Sequence, residues 1–156
     1  MQFADWLHAL KIPQHISQRS PWSGQSDFAA SKRVATLIDG VVWQKLGVQA
    51  ASMTFAQKQD ALRHVYVDIS QNHARRPFTN EAGVTGTFTT STLLYSFDRD
   101  NIVLPREMLY LHGHSRSISI PEEVKPSSVK SLAGEGMSLP CLGTVLFAGL
   151  LARDFS

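Results

Sequence analysis

The sequence predicts an α+β fold: helices in the N-terminal half, a small central antiparallel sheet, and two or three C-terminal helices. Three observations carry that expectation. Apolar residues recur at a helical period over residues 26–46 and again over 54–64. Strict alternation replaces that period at 65–70, and a Gly/Thr-rich extended stretch runs on from 83 to 97. Helical punctuation returns after residue 104. At 156 residues, 43% hydrophobic and 18% charged, the chain can bury a core and is too apolar to remain disordered. The expected organisation is a helical segment 1–64 and a second region 65–156, joined in one compact domain.

The chain opens with Phe3, Trp6, Leu7 and Leu10, stopped by Pro13, and continues as a polar loop to Gly24. Trp22 in that loop is expected to anchor it on the core. Ser26 or Asp27 can cap the first long helix, whose apolar positions are Phe28, Val34, Leu37, Ile38, Val41, Val42 and Leu46. Gly47 is its expected stop. Gly40 costs about 1 kcal/mol relative to alanine and permits a break there. Lys32, Arg33 and Lys45 fall on the polar side, as a solvated face. Thr54 and Gln57 form a capping-box pattern for a second helix ending near His64, where the helix dipole favours an imidazole. A turn at 98–101 closes the sheet region. Pro105 in a first turn, Glu107 at the positive end and Gly113 as stop define a short helix. A glycine loop around Gly134 opens onto a last apolar helix, 139–152, expected to be buried.

Bulk chemistry narrows the function classes. A net charge of +2 permits a nucleic-acid face without announcing one. The single cysteine, Cys141, excludes an internal disulfide and suits a reducing intracellular compartment, nucleus or cytoplasm. The first residues lack a basic stretch followed by an apolar run, so no secretory signal is expected. The apolar run 139–152 is too short to cross a bilayer, so no membrane span is expected.

The most polar and basic stretch is the loop 71–77. Arg75 and Arg76 offer guanidinium forks for phosphate or a guanine edge, and Gln71 and Asn72 suit an adenine edge. An ordinary surface loop is the equal alternative. His112 and His114 lack a third ligand at metal spacing, so no metal is expected. Cys141 sits among Leu139, Leu142, Val145 and Leu146, which reads as packing on a helix and not as a nucleophile.

Two stretches carry a family resemblance. The run from Leu104-Pro105-Arg106-Glu107 to Leu111-His112-Gly113-His114, and the run Leu132-Ala133-Gly134-Glu135-Gly136-Met137-Ser138-Leu139-Pro140, resemble the last two motifs of the cytosine-C5 DNA methyltransferases. In that family an "L-T-x-R-E-x-x-R-L-Q-G-F-P" helix precedes an "x-x-G-N-x-x-x-x-P" loop and a final helix. Thr87-Phe88-Thr89-Thr90 is similar to the "x-T-L-T-T" element that closes the target-recognition region. Arg76-Pro77-Phe78 through Gly83 is similar to the "R-x-Y-x-x-x-G" segment before it. The resemblance covers residues 68–152.

It implies a target-recognition lobe, with Gln71, Arg75, Arg76, Thr87 and Thr89 toward DNA. Arg106, Glu107 and Gly113 would hold the recognition region, while Gly134, Glu135, Gly136 and Ser138 would abut S-adenosylmethionine. Departures are His112, His114 and Ser115 in place of Gln and Phe-Pro, and Glu135 in place of Asn. The family's early Pro-Cys nucleophile loop, its "E-N-V" carboxylate and its "F-x-G-x-G" loop have no counterpart, so no catalytic residue is assigned. Cofactor binding is therefore expected only beside a partner lobe on a second protein chain. The alternative is a catalytically inactive lobe serving as a structural or accessory subunit, docked through the last helix.

Overall fold

In a computed structural model, residues 20–72, 75, 78–79 and 84–152 are described. The architecture is α+β, and the chain divides into two units. Of the described residues, the first comprises those up to Gly86 together with Leu93–Ile102, and the second comprises Thr87–Thr92 and those from Val103 onward.

The first unit is organised on helix α1, Lys32–Leu46. Leu37, Ile38, Val41, Val42 and Trp43 bury one continuous face, and Gly40 sits within it without a break. Gly47 ends the helix at φ 57°, the left-handed conformation for which glycine is suited. A 3₁₀ turn, Gly47–Ala51, leads toward α2, Phe55–Leu62. The capping box forms as expected: the Gln57 amide donates to Thr54 Oγ1 at 3.3 Å, and the Thr54 amide donates to Gln57 Oε1 at 2.8 Å. The start of α1 differs from expectation. Ser31 takes the N-cap place, because Ser26 and Asp27 are drawn to the Asp100 carboxylate, at 2.5 Å from the Ser26 hydroxyl and 2.9 Å from the Asp27 amide.

Strands β1 (Tyr66–Asp68), β2 (Leu94–Ser96) and β3 (Asn101–Ile102) form an antiparallel sheet in that order. Val67 faces Tyr95 in one pair, and Tyr95 faces Ile102 in the other. The β2–β3 hairpin turns at Asp100, whose φ of 47° an aspartate tolerates better than most residues. The extended stretch anticipated from 83 to 97 contracts to three paired residues. Threonine hydroxyls explain part of the loss: Thr92 Oγ1 accepts the Thr89 amide at 2.8 Å, a local bond that competes with strand pairing.

Trp22 is the centre of the first core. Its ring is 0% exposed and lies 4.5 Å from Phe55 and 4.8 Å from Phe97, edge-on to the latter. Two carboxylates pin the segment that carries it. Asp39 accepts from the Ser20 and Ser23 hydroxyls and from the Trp22 and Ser23 amides. Asp100 accepts from Trp22 Nε1 and from the Tyr95 hydroxyl. Lys58 is buried with its amine donating to the Pro21 carbonyl at 2.7 Å. Burial lowers the Lys58 pKa, and nearby Asp39 opposes that shift.

The second unit contains α3 (Pro105–Leu111), α4 (Pro126–Glu135) and α5 (Leu139–Leu151). Met108, Leu109, Val129 and Ala133 are buried, and α3 packs on α4. Gly113 follows α3 at φ 89°, where a side chain would meet the Pro140 ring. The last helix corrects the sequence reading. It forms over the expected residues, yet none of them is buried. Val145, Phe147 and Leu151 are 68%, 63% and 68% exposed. Composition made the segment helical and apolar, but among the described residues only the turn at His112 and Gly113 meets its start, and none covers it enough to bury a side chain. Cys141, anticipated as a buried packing residue, is likewise exposed.

Candidate functional site

The loop after β1 is built on a buried strand end. Arg33 reaches it from α1, donating to the Ile69 carbonyl at 2.7 Å and the Gln71 carbonyl at 3.1 Å. This guanidinium therefore ties off the strand instead of forming only a solvated face. Gln71 is half-buried and Arg75 exposed, and Arg75 donates to Gln71 Oε1 at 3.4 Å. The two residues expected at a base edge and a phosphate are thus side by side in the first unit. Arg76 lies outside the described residues. Lys45 stands 5.4 Å from the Phe78 ring centroid, a cation–π contact at the end of α1.

Thr87 and Thr89 are exposed in the second unit, in a segment that lies on α4. The closeness of that packing is set by Gly134. A Cβ there would come within 2.3 Å of the Thr89 carbonyl and the Thr90 nitrogen. Gly134 serves close backbone approach, and its open face is filled by the threonine run. Gly134 and Glu135 form the last turn of α4 instead of a loop; only Gly136, Met137 and Ser138 separate the helices. Glu135 accepts from the Ser131 hydroxyl at 3.3 Å, and Ser138 is the N-cap of α5 without a side-chain cap bond.

Arg106 and Glu107 act locally. Glu107 accepts the Leu104 amide at 2.8 Å, capping α3 from within, as its place near the positive helix end suits. Arg106 donates to the Ile118 carbonyl at 2.7 Å and so braces the loop after α3. His64 is exposed at the end of α2, with Arg63 Nε donating to it at 3.1 Å. No group of three or more His, Cys, Asp or Glu side chains poised for a metal occurs among the described residues. A shallow polar depression of about 310 Å³ is lined by Ala56, Gln59, Asp60, Arg63 and Asp98, with an exposed Arg63–Asp60 pair at 3.4 Å. Such a pair contributes little.

Two features escaped sequence reasoning. His112 is buried at the end of α3, and its ring nitrogens have no hydrogen-bond partner among the described residues. Phe88 covers it, an aromatic contact between stretches distant in sequence. Neither leaves a local signal, since both depend on where the threonine segment crosses the helices.

The helical run Pro126–Leu151 is long and apolar enough, by length and composition, to cross a membrane. Gly136 to Ser138 break that run, and Lys130 and Glu135 lie inside it. No family model, no curated protein and no solved structure matches the chain.

Proposed function

We propose that this chain is a non-catalytic accessory lobe that docks through α5 into an apolar groove of a larger protein assembly. One observation carries the reading: a thirteen-residue helix without a buried residue and without a charged one. A helix apolar on all sides is stable only when enclosed, because an isolated helix of this length is marginal in water. At about 1.5 Å per residue, α5 is shorter than a hydrocarbon core, which favours a protein groove over a bilayer.

A second reading is a DNA-target-recognition lobe resembling the C-terminal part of a cytosine-C5 DNA methyltransferase. The packing of Gly134 on Thr89 and Thr90 favours it, since it gathers in one unit the threonine element, the Arg106-Glu107 helix and the glycine turn. Under this reading Gln71, Arg75, Arg76, Thr87 and Thr89 contact DNA. Glu135, Gly136 and Ser138 are the part of the turn left for S-adenosylmethionine once a partner lobe completes the pocket.

The test has two arms. The chain is purified from its native cells with and without Leu146→Asp and Leu150→Asp, and the isolated chain is titrated with duplex DNA and S-adenosylmethionine at two salt concentrations. The accessory reading expects one stoichiometric protein partner, lost in the double variant, and no binding of either ligand. Tight, salt-sensitive DNA binding by the isolated chain, abolished by Arg75→Ala with Arg76→Ala, overturns it in favour of the second reading.

A further inference from the structure

The second unit contains a buried polar side chain that no described residue satisfies. His112 is 8% exposed, and neither Nδ1 nor Nε2 has a hydrogen-bond partner among the described residues. A neutral imidazole carries one donor and one acceptor, and here both are dry. Buried polar groups in folded proteins are nearly always paired, so an unpaired one needs a physical account.

Phe88 packs on His112. Its ring meets the imidazole edge-on, with centroids 5.0 Å apart and planes at 78°. Phe88 belongs to Thr87–Thr92, a short segment that joins the second unit while the residues before and after it belong to the first. The segment rests directly on α4 at Gly134. Its polar attachment to the helices is slight: Lys130 Nζ reaches the Ser91 carbonyl at 3.5 Å. Its better hydrogen bonds are internal. The Thr92 amide donates to the Thr89 carbonyl at 2.9 Å, and the Thr89 amide donates to Thr92 Oγ1 at 2.8 Å. Those bonds do not tie the segment to the helices, and they break when it unravels from them.

We propose that Thr87–Thr92 is a displaceable strap across α3 and α4, and that unpaired His112 is what keeps it displaceable. Closing the strap packs Phe88 but strips both ring nitrogens of water. Opening it restores those hydrogen bonds, so the open form lies closer in free energy than the apolar packing alone would allow. Opening also uncovers an imidazole flanked by the apolar contact of α3 with α4, a polar handle that the closed form conceals.

Hydrogen exchange with mass-spectrometric readout on the whole chain tests this. In the unmodified protein, the hydrogen-bonded amides of Thr89 and Thr92 exchange through a local opening, faster than those within α3 and α4. His112→Leu removes the dry polar atoms while keeping an apolar side chain under Phe88. It slows exchange at 87–92 by about tenfold and leaves the α1 amides unchanged. Exchange at 87–92 that is equal or faster in the variant, or that follows α3 and α4 in step, overturns the proposal. A second arm does not depend on that variant folding. Phe88→Ala speeds modification of His112 by diethyl pyrocarbonate severalfold relative to the unmodified chain; an unchanged rate overturns the proposal.

Discussion

The two units differ in how completely they satisfy themselves. In the first, Asp39 and Asp100 each accept several hydrogen bonds and Lys58 finds the Pro21 carbonyl, which leaves Gln44 Oε1 as the one buried side-chain acceptor without a partner among the described residues. Its core packs around Trp22 and includes the buried stripe of α1. In the second, among the described residues, the ring nitrogens of a buried imidazole have no partner, and the apolar helix α5 has no buried residue. The first unit carries the marks of a finished core. The second carries those of a surface waiting for a neighbour.

The strongest way to break this comparison is through Trp22. Trp22→Ala should destabilise the first unit by about 3–5 kcal/mol, read from the urea midpoint, because the ring is fully enclosed between Phe55 and Phe97. A cost under about 1 kcal/mol would show that this core is not the finished one described. Gly134→Ala comes next, at about 1–3 kcal/mol, since the new methyl must displace the backbone of Thr89 and Thr90. Its effect should fall on thermal unfolding of the second unit and spare α1 amides in hydrogen exchange.

Alkaline titration sharpens the contrast within the first unit. Burial, and then the Asp100 carboxylate beside it, push the Tyr95 hydroxyl far above the usual tyrosine range. A group with a raised folded-state pKa contributes stability that is whole below the unfolded value and is lost as pH climbs. The unfolding free energy should therefore decline above pH of about 10, and Tyr95→Phe should flatten that decline. Smaller still, Thr54→Ala should cost about 1 kcal/mol through the lost cap of α2, measured by chemical denaturation. The least effect is expected at α5: Leu146→Ser should change stability by less than about 0.5 kcal/mol, although leucine-to-polar changes in a core cost several times more.

Local chemistry was legible in the sequence and non-local packing was not. The Thr54–Gln57 box, the Gly47 and Gly113 stops and the apolar stripe of α1 are short-range signals, and all are realised. Trp22 as a core anchor also follows from residue type. The first cap failed because Asp100, more than seventy residues away, competes for Ser26 and Asp27. The long strand failed because threonine side chains bond their own backbone. At the candidate site, the pairing of Gln71 with Arg75 was within reach of spacing. The hold of Arg33 on the same loop needs the fold. Burial of 139–152 was inferred from composition, which reports that a helix should be covered and says nothing of which chain covers it.

The chain's single cysteine offers the most direct test of that last point. Cys141 lies in the first turn of α5 and is exposed. Its labelling by a small thiol reagent can be timed in the isolated native chain, at low protein concentration, and again in urea. An uncovered docking helix predicts native labelling within a few-fold of the unfolded rate, on the order of the difference expected for a locally accessible group. Labelling that proceeds only through global unfolding would place α5 inside this chain's own core and contradict the account.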